Sequence, residues 1–244
     1  MNKKIFENKG LIRKNKFLTE IEVVRLSSAL DELERNFTSE GYFETSCLSG
    51  EQLLMRMEEI TSHHQQIKEV VLSNKVLDFL EEIIGEKIVL FKDKVNFKKT
   101  GARSDILHQD QQAGWSKYSD LFVTMCIAID ENTNENACLK FPAEKNYKHK
   151  RELVGDEWEV LSSKQLNGLE MENVTLSPGD AVFFDSYIPH CSDENLSAKN
   201  RRNLYITFNK ASHGDFRIEY YKDKNSSYPP NSKRSENKEY KYRV

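Results

Sequence analysis

The chain has 244 residues, 31% of them charged and 38% hydrophobic, with a formal net charge of −3. That length suits one domain with elaborations, and the near-neutral charge gives no electrostatic reason to expect nucleic acid or an anionic membrane as partner. No apolar run approaches the roughly 20 residues of a membrane-spanning helix, and the basic start "MNKKIFENKGLIRKNKF" lacks a signal peptide's apolar segment, so a cytoplasmic location is expected. Cys47, Cys126, Cys138 and Cys191 show no paired spacing and read as reduced thiols, neither a disulfide framework nor a Cys-rich zinc site.

The first third reads as helix. "LTEIEVVRLSSALDELERNF" places Ile21, Val24, Leu26, Leu30 and Leu33 near helical spacing, and Thr19 with Glu22 has the form of a capping box. "GEQLLMRMEEI" and "QQIKEVVLSNKVLDFLEEIIG" continue the helical pattern up to a stop at Gly85. His63 and His64 are neighbours on that pattern, so they point apart and make a poor metal pair.

From Lys87 onward the texture changes to short β-favouring runs: "KIVLFKDKVNFKK", "DLFVTMCIAI", "ACLKF", "ENVTL", "DAVFFDSY" and "NLYITFNKA". "SPGD" at 177–180 forms the turn before "AVFFDSYI". Helices followed by many short strands predict a mainly β fold with N-terminal helical cover, a sandwich or barrel rather than an alternating βαβ sheet. The expected division is helical cover over 1–86, β core over 87–221 and a polar tail over 222–244. The tail's tyrosines allow either a partly ordered end or a strap laid over the core.

The stretch "ILHQDQQAGW" places His108 and Asp110 at i and i+2, on one face if the segment is a strand. Alone that pattern is weak, and a third ligand is needed. His149 sits in the Lys-rich "EKNYKHKREL", which reads as a solvated loop, and His213 in "ASHGD" reads as a turn. His190 ends the apolar strand "DAVFFDSYIPH" and is placed to point inward. Two histidines and one carboxylate form the facial triad of non-haem Fe(II), which leaves coordination positions open. Eleven and twelve residues later come Arg201 and Arg202. As strand neighbours they face opposite ways, so one of them can offer a guanidinium fork to a buried carboxylate; the plain alternative is two exposed arginines.

Taken together, "NFK" at 96–98, "HQD" at 108–110, "ENACLKFP" at 135–142, "SPGDAVFFDSYIPHCS" at 177–192 and "RRNLYITFN" at 201–209 resemble the phytanoyl-CoA dioxygenase family of Fe(II)- and 2-oxoglutarate-dependent oxygenases. The resemblance implies a double-stranded β-helix, or jelly roll, with iron at its mouth and 2-oxoglutarate and dioxygen as co-substrates. It implies His108, Asp110 and His190 as iron ligands, and Arg201 as the anchor of the distal carboxylate of 2-oxoglutarate. Ser192 and Lys98 match co-substrate positions, with Asn96 and Thr124 in the same pocket. A retained Asp110 favours hydroxylation, because halogenases of this architecture carry a small residue there. The chain departs from the family at "FPAEKNYKHK", where many members have Pro-Gly followed by Ser/Thr-His.

Within the family the motifs look closest to members that hydroxylate 2-(trimethylamino)ethylphosphonate or similar small zwitterions. Trp115, Tyr118 and Tyr187 are candidate faces for a quaternary ammonium, and Lys94, Arg103 or Lys117 for an anionic group. The same chemistry on an amino acid, a lipid-derived acid or a biosynthetic intermediate is the alternative, and a non-catalytic jelly-roll binding module is the rival from another class.

Overall fold

Thr19 opens the first long helix as expected. Its hydroxyl accepts from the Glu22 amide, and the Glu22 carboxylate accepts from the Thr19 amide at 2.7 Å. The computed structural model describes residues 1–143, 145, 147–162 and 164–240. Helix α1 (Asn2–Lys9) and strand β1 (Leu11–Lys14) precede this helix, α2 (Glu20–Asn36). Along one stripe α2 buries Leu26, Ala29, Leu30 and Leu33, each leucine contributing about 2 kcal/mol relative to exposure.

The next segment differs from the helical expectation. "GEQLLMRMEEI" is a strand, β3 (Gln52–Glu58), in a hairpin with β2 (Gly41–Thr45). Helix-forming side chains adopt strand geometry here because β3 pairs on its other edge with β4 (Ile88–Lys98), where Arg56, Met57 and Glu58 become buried. Short helices α3 (Ile60–His63) and α4 (Gln65–Val71) lead to α5 (Asn74–Ile84), which stops at Gly85 in the left-handed region.

The remaining strands are β5 (Asp105–His108), β6 (Phe122–Ala128), β7 (Leu139–Pro142), β8 (Met171–Val174), β9 (Ala181–Asp185), β10 (His190–Ser192) and β11 (Arg201–Lys210). They form two antiparallel sheets, ordered β1-β9-β6-β11-β4-β3-β2 and β5-β10-β7-β8. Residue alternation divides the large sheet between two cores. Val95, Val123, Met125, Phe183, Leu204 and Ile206 pack with the helices. Cys126, Val182, Phe184 and Tyr205 pack with Leu139 and Phe141 of the small sheet. The result is the expected jelly roll with helices on one side.

Past β11 the chain forms helix α6 (Arg217–Ser227) rather than an extended tail. It is tied down: the Tyr221 hydroxyl sits 3.1 Å from the Asp93 carbonyl and amide, and Tyr228 stacks on Tyr42. Of the 222–244 segment, Lys241 to Val244 lie outside the described residues.

Candidate active site

Strand pairing builds the site. His108 closes β5 and His190 opens β10, and the two are direct register partners with ring centroids 4.3 Å apart. Asp110 lies two residues beyond the end of β5, in a short 3-10 turn, so its approach to His108 comes from the turn and not from strand alternation. Its Oδ1 is 3.7 Å from His108 Nε2 and 4.0 Å from His190 Nε2. Among the described residues these three form the group of side chains that could hold a metal ion, with donor atoms all within 4.8 Å.

The tautomers suit an ion. Nδ1 of His108 is 2.7 Å from the Ile106 carbonyl, and Nδ1 of His190 is 3.0 Å from the Ile188 carbonyl. Each Nδ1–H is thus engaged, leaving the Nε2 lone pairs facing Asp110. Burial, with the neighbouring His108, lowers the His190 pKa to about 4, which favours the neutral, ligating ring. Burial pushes the Asp110 carboxyl up, but the proximity of His108, His190 and the Lys94 ammonium outweighs it and holds the group below the usual carboxylate range. The Thr124 hydroxyl donates to Asp110 Oδ2 at 3.4 Å and also contacts Thr207, so Thr124 orients a ligand. Two imidazoles, one carboxylate and no thiolate fit a divalent iron with open positions.

A cavity of about 840 Å³, its open mouth included, spreads from this triad. At one end is Arg201, 1% exposed, its guanidinium fixed by the Asn136 and Ala137 carbonyls. Beside it Lys98 Nζ donates to the Arg103 carbonyl (2.6 Å), Ser192 Oγ (3.0 Å) and Asp105 Oδ2 (3.1 Å). Arg202 points the opposite way, bound to Asp130, Asp31 and Ser27 on the helical side.

Comparison with known proteins matches residues 6–203 to the phytanoyl-CoA dioxygenase (PhyH) family. The chain belongs to the phytanoyl-CoA dioxygenase family. It is 36% identical over 199 residues to a 2-aminoethylphosphonate dioxygenase of uncultured bacterium HF130_AEPn_1, spanning 82% of this chain and 75% of the relative. It is 37% identical over 174 residues to a methylphosphonate hydroxylase of Gimesia maris, spanning 71% of this chain and 65% of that relative. Its fold resembles EctD from S. alaskensis, solved with 2-oxoglutarate and 5-hydroxyectoine (18% identity, TM-score 0.68, 85% of this chain and 74% of that one). It also resembles the α-ketoglutarate-dependent epimerase SnoN (14% identity, TM-score 0.68, 84% and 80%). The expected enzyme class, an oxygenase using Fe(II), 2-oxoglutarate and dioxygen, stands with that family membership.

For this family member the cavity brings together His108, Asp110, His190, Lys98, Asn96, Thr124, Arg201, Trp115, Arg103 and Lys94. Ser192 reaches its edge through Lys98. The other aromatic candidates lie apart: the Tyr118 hydroxyl donates to Asp223, and that of Tyr187 to the Asp120 carbonyl. Lys117 also pairs with Asp223 outside the cavity.

Four relationships escaped the sequence reading. Asp105 braces both Lys98 and Ser192; nothing in its pattern distinguishes it from a surface residue. Lys92 and Lys94 share a face of β4 with Asn96 and Lys98, a stripe readable as "KDKVNFK" once the strand is recognised. Arg56 joins the wall from β3, a segment read as helix. His149 is no solvated residue: its side chain is 2% exposed and its Nε2 lies 2.6 Å from Asp185. Among the described residues no helix is long and apolar enough to cross a membrane.

Proposed function

We infer that the chain is an Fe(II)- and 2-oxoglutarate-dependent hydroxylase of small phosphonates, acting on a C–H bond of an aminoethylphosphonate-type compound. The observation that carries the reading is the convergence of His108, Asp110 and His190 in one cavity whose opposite end holds the buried Arg201. His108, Asp110 and His190 would hold the iron, and Arg201, with Lys98 and Ser192 beside it, would hold the distal carboxylate of 2-oxoglutarate. When bound, iron, 2-oxoglutarate and dioxygen would supply the oxidative decarboxylation, one oxygen atom going to succinate as carbon dioxide leaves and the other to the hydroxylated product.

The protein supplies position. The Arg201 fork is fixed before any ligand arrives, because backbone carbonyls already hold two of its nitrogens. The Asp110 carboxylate fills the position that a halogenase leaves for halide, and Thr124 keeps it turned toward the histidines. The loop 147–162 is tied to this turn by Gln109, which donates to the Glu152 carbonyl and accepts from the Val154 amide. The substrate class is supported by two relatives above 35% identity whose names specify phosphonates.

The test is anaerobic titration of the apoprotein with Fe(II) and 2-oxoglutarate, watching the visible charge-transfer band of their chelate. Succinate release is then screened with 2-aminoethylphosphonate, its trimethylated form, methylphosphonate, amino acids and short fatty acids. Release coupled to a phosphonate supports the reading. Coupling only to an amino or fatty acid replaces the substrate, and absence of the band in folded, iron-loaded protein removes the oxygenase.

A further inference from the structure

We propose that Lys94, Lys92, Arg56 and the indole N–H of Trp115 form a dianion subsite, separate from the Arg201 end, that holds the phosphonate group of the substrate. The proposal rests on the phosphonate reading above and assigns residues to it.

The geometry begins with strand pairing. Arg56 is in register with Asn96, Lys94 with Tyr205, and Lys92 with Thr207, and Thr207 with Thr124. These residues line the same cavity as the triad, whereas Asp93 and Val95, which alternate with them along β4, do not, and Val95 goes to the helical core. The wall is therefore cationic by alternation, at the end of the stripe remote from Lys98.

Its charges are built rather than adventitious. Glu58, buried behind the wall, receives Lys224 of α6 at 2.7 Å, Arg56 at 3.2 Å and Lys92 at 3.8 Å, all on the same oxygen. Three cations thus meet at one carboxylate, and Lys94 has no carboxylate of its own. Among the described residues the Lys94 ammonium has no hydrogen bond or ion pair; it sits 5.0 Å over the Tyr205 ring. Burial, with repulsion from Lys92 and Arg56, lowers its pKa to about 8. A dianion at this wall would restore its charge and relieve that repulsion.

A second observation is independent of charge. Trp115 lines the cavity and is 3% exposed, yet its indole N–H finds no acceptor among the described residues. A buried donor without a partner is costly, so a ligand oxygen at this place would satisfy it. Lys92 also lies 5.7 Å over the same indole, so that ring face already carries a cation and is a poor seat for a substrate ammonium. Trp115 accordingly serves the anionic end of the substrate as a hydrogen-bond donor.

The experiment is calorimetric titration of methylphosphonate, acetate and inorganic phosphate into protein loaded anaerobically with Fe(II) and 2-oxoglutarate. Wild type is expected to bind methylphosphonate more tightly than acetate, and Lys94→Met and Lys92→Met to weaken it about tenfold or more. Trp115→Phe, which keeps the ring and removes the N–H, is expected to weaken it several-fold and guards against misfolding of the lysine variants. All three are expected to retain the charge-transfer band with 2-oxoglutarate. Unchanged methylphosphonate affinity in Lys94→Met and Trp115→Phe overturns the subsite, even if wild type turns phosphonates over. Loss of 2-oxoglutarate instead of methylphosphonate overturns it too, assigning the lysines to the co-substrate. Lys94-dependent binding of inorganic phosphate with no phosphonate binding or turnover upholds the dianion subsite and overturns the phosphonate reading on which it was built.

Discussion

His108 and His190 are cross-strand partners, and the loop geometry of the site follows from that pairing. The 4.3 Å ring separation is set by backbone hydrogen bonds between β5 and β10, not by the ion. The site is therefore largely preformed, with each Nδ1 held by the carbonyl two residues before it, Ile106 for His108 and Ile188 for His190. Replacing His190 or Asp110 by Ala is expected to leave thermal stability near wild type while abolishing high-affinity Fe(II) binding and 2-oxoglutarate turnover. Equilibrium metal binding with Co(II) as a spectroscopic probe checks it; retained tight binding in both variants removes the triad assignment.

Much of this was legible because period-two signals are local. Strands β4, β6, β7, β8, β9 and β11 and the opposition of Arg201 and Arg202 follow from alternation along single segments. His190 does not end the strand before it as expected, because β9 stops at Asp185 and a turn carries the chain to the other sheet, where His190 opens β10. What escaped depends on partners distant in sequence. "QLLMRME" has helix-favouring side chains, and only pairing with β2 and β4 makes it a strand. "HQDQQAGW" displayed two ligands but not the rest of its work. Gln109 and Gln112 hold the loop, Gln111 bonds Ser186 and Ser119, and Gly114 takes the left-handed backbone on which Trp158 packs. His149 looked solvated because its neighbours are lysines, and its partner Asp185 is 36 residues away.

The two arginines give a paired prediction. Arg201→Ala is expected to raise the 2-oxoglutarate dissociation constant at least about a hundredfold, since a buried charge-assisted fork is lost. Arg202→Ala is expected to leave that constant within about threefold but to lower unfolding free energy by about 2 kcal/mol, through lost bonds to Asp130 and Asp31. Calorimetry with 2-oxoglutarate and chemical denaturation of both variants check it. The reverse pattern exchanges their roles.

The loop beside the triad is held by side chains of the triad's own turn. Gln109 donates to the Glu152 and Tyr187 carbonyls and accepts from the Val154 amide, while Gln112 donates to the Asp156 carbonyl and its own carbonyl accepts from the Trp158 amide. His149 on Asp185 fixes the loop's start. Gln109→Ala removes three of these bonds and is expected to raise the open population of residues 147–162 about a hundredfold. Hydrogen exchange of the loop amides, with the ratio of succinate to hydroxylated product, measures both consequences. Unchanged protection in Gln109→Ala and His149→Ala would show that the loop is held elsewhere.

Glu58 links the cavity wall to α6 and sets an acid limit on stability. Burial pushes its carboxyl up, but Lys224, Lys92 and Arg56 together outweigh burial and hold it well below its ordinary value of 4.5. A folded-state pKa that is depressed contributes stability above the unfolded value and loses it as pH falls toward the folded one. Glu58→Gln is therefore expected to cost about 3 kcal/mol at neutral pH, because three cations lose their carboxylate. Below pH 4.5 the gap between wild type and variant is expected to narrow by at most about 1.4 kcal/mol per pH unit, the limit for one proton. Urea denaturation of both proteins between pH 7 and pH 3 traces that convergence. A gap that stays constant across this range would mean that Glu58 is not the group whose protonation loosens α6.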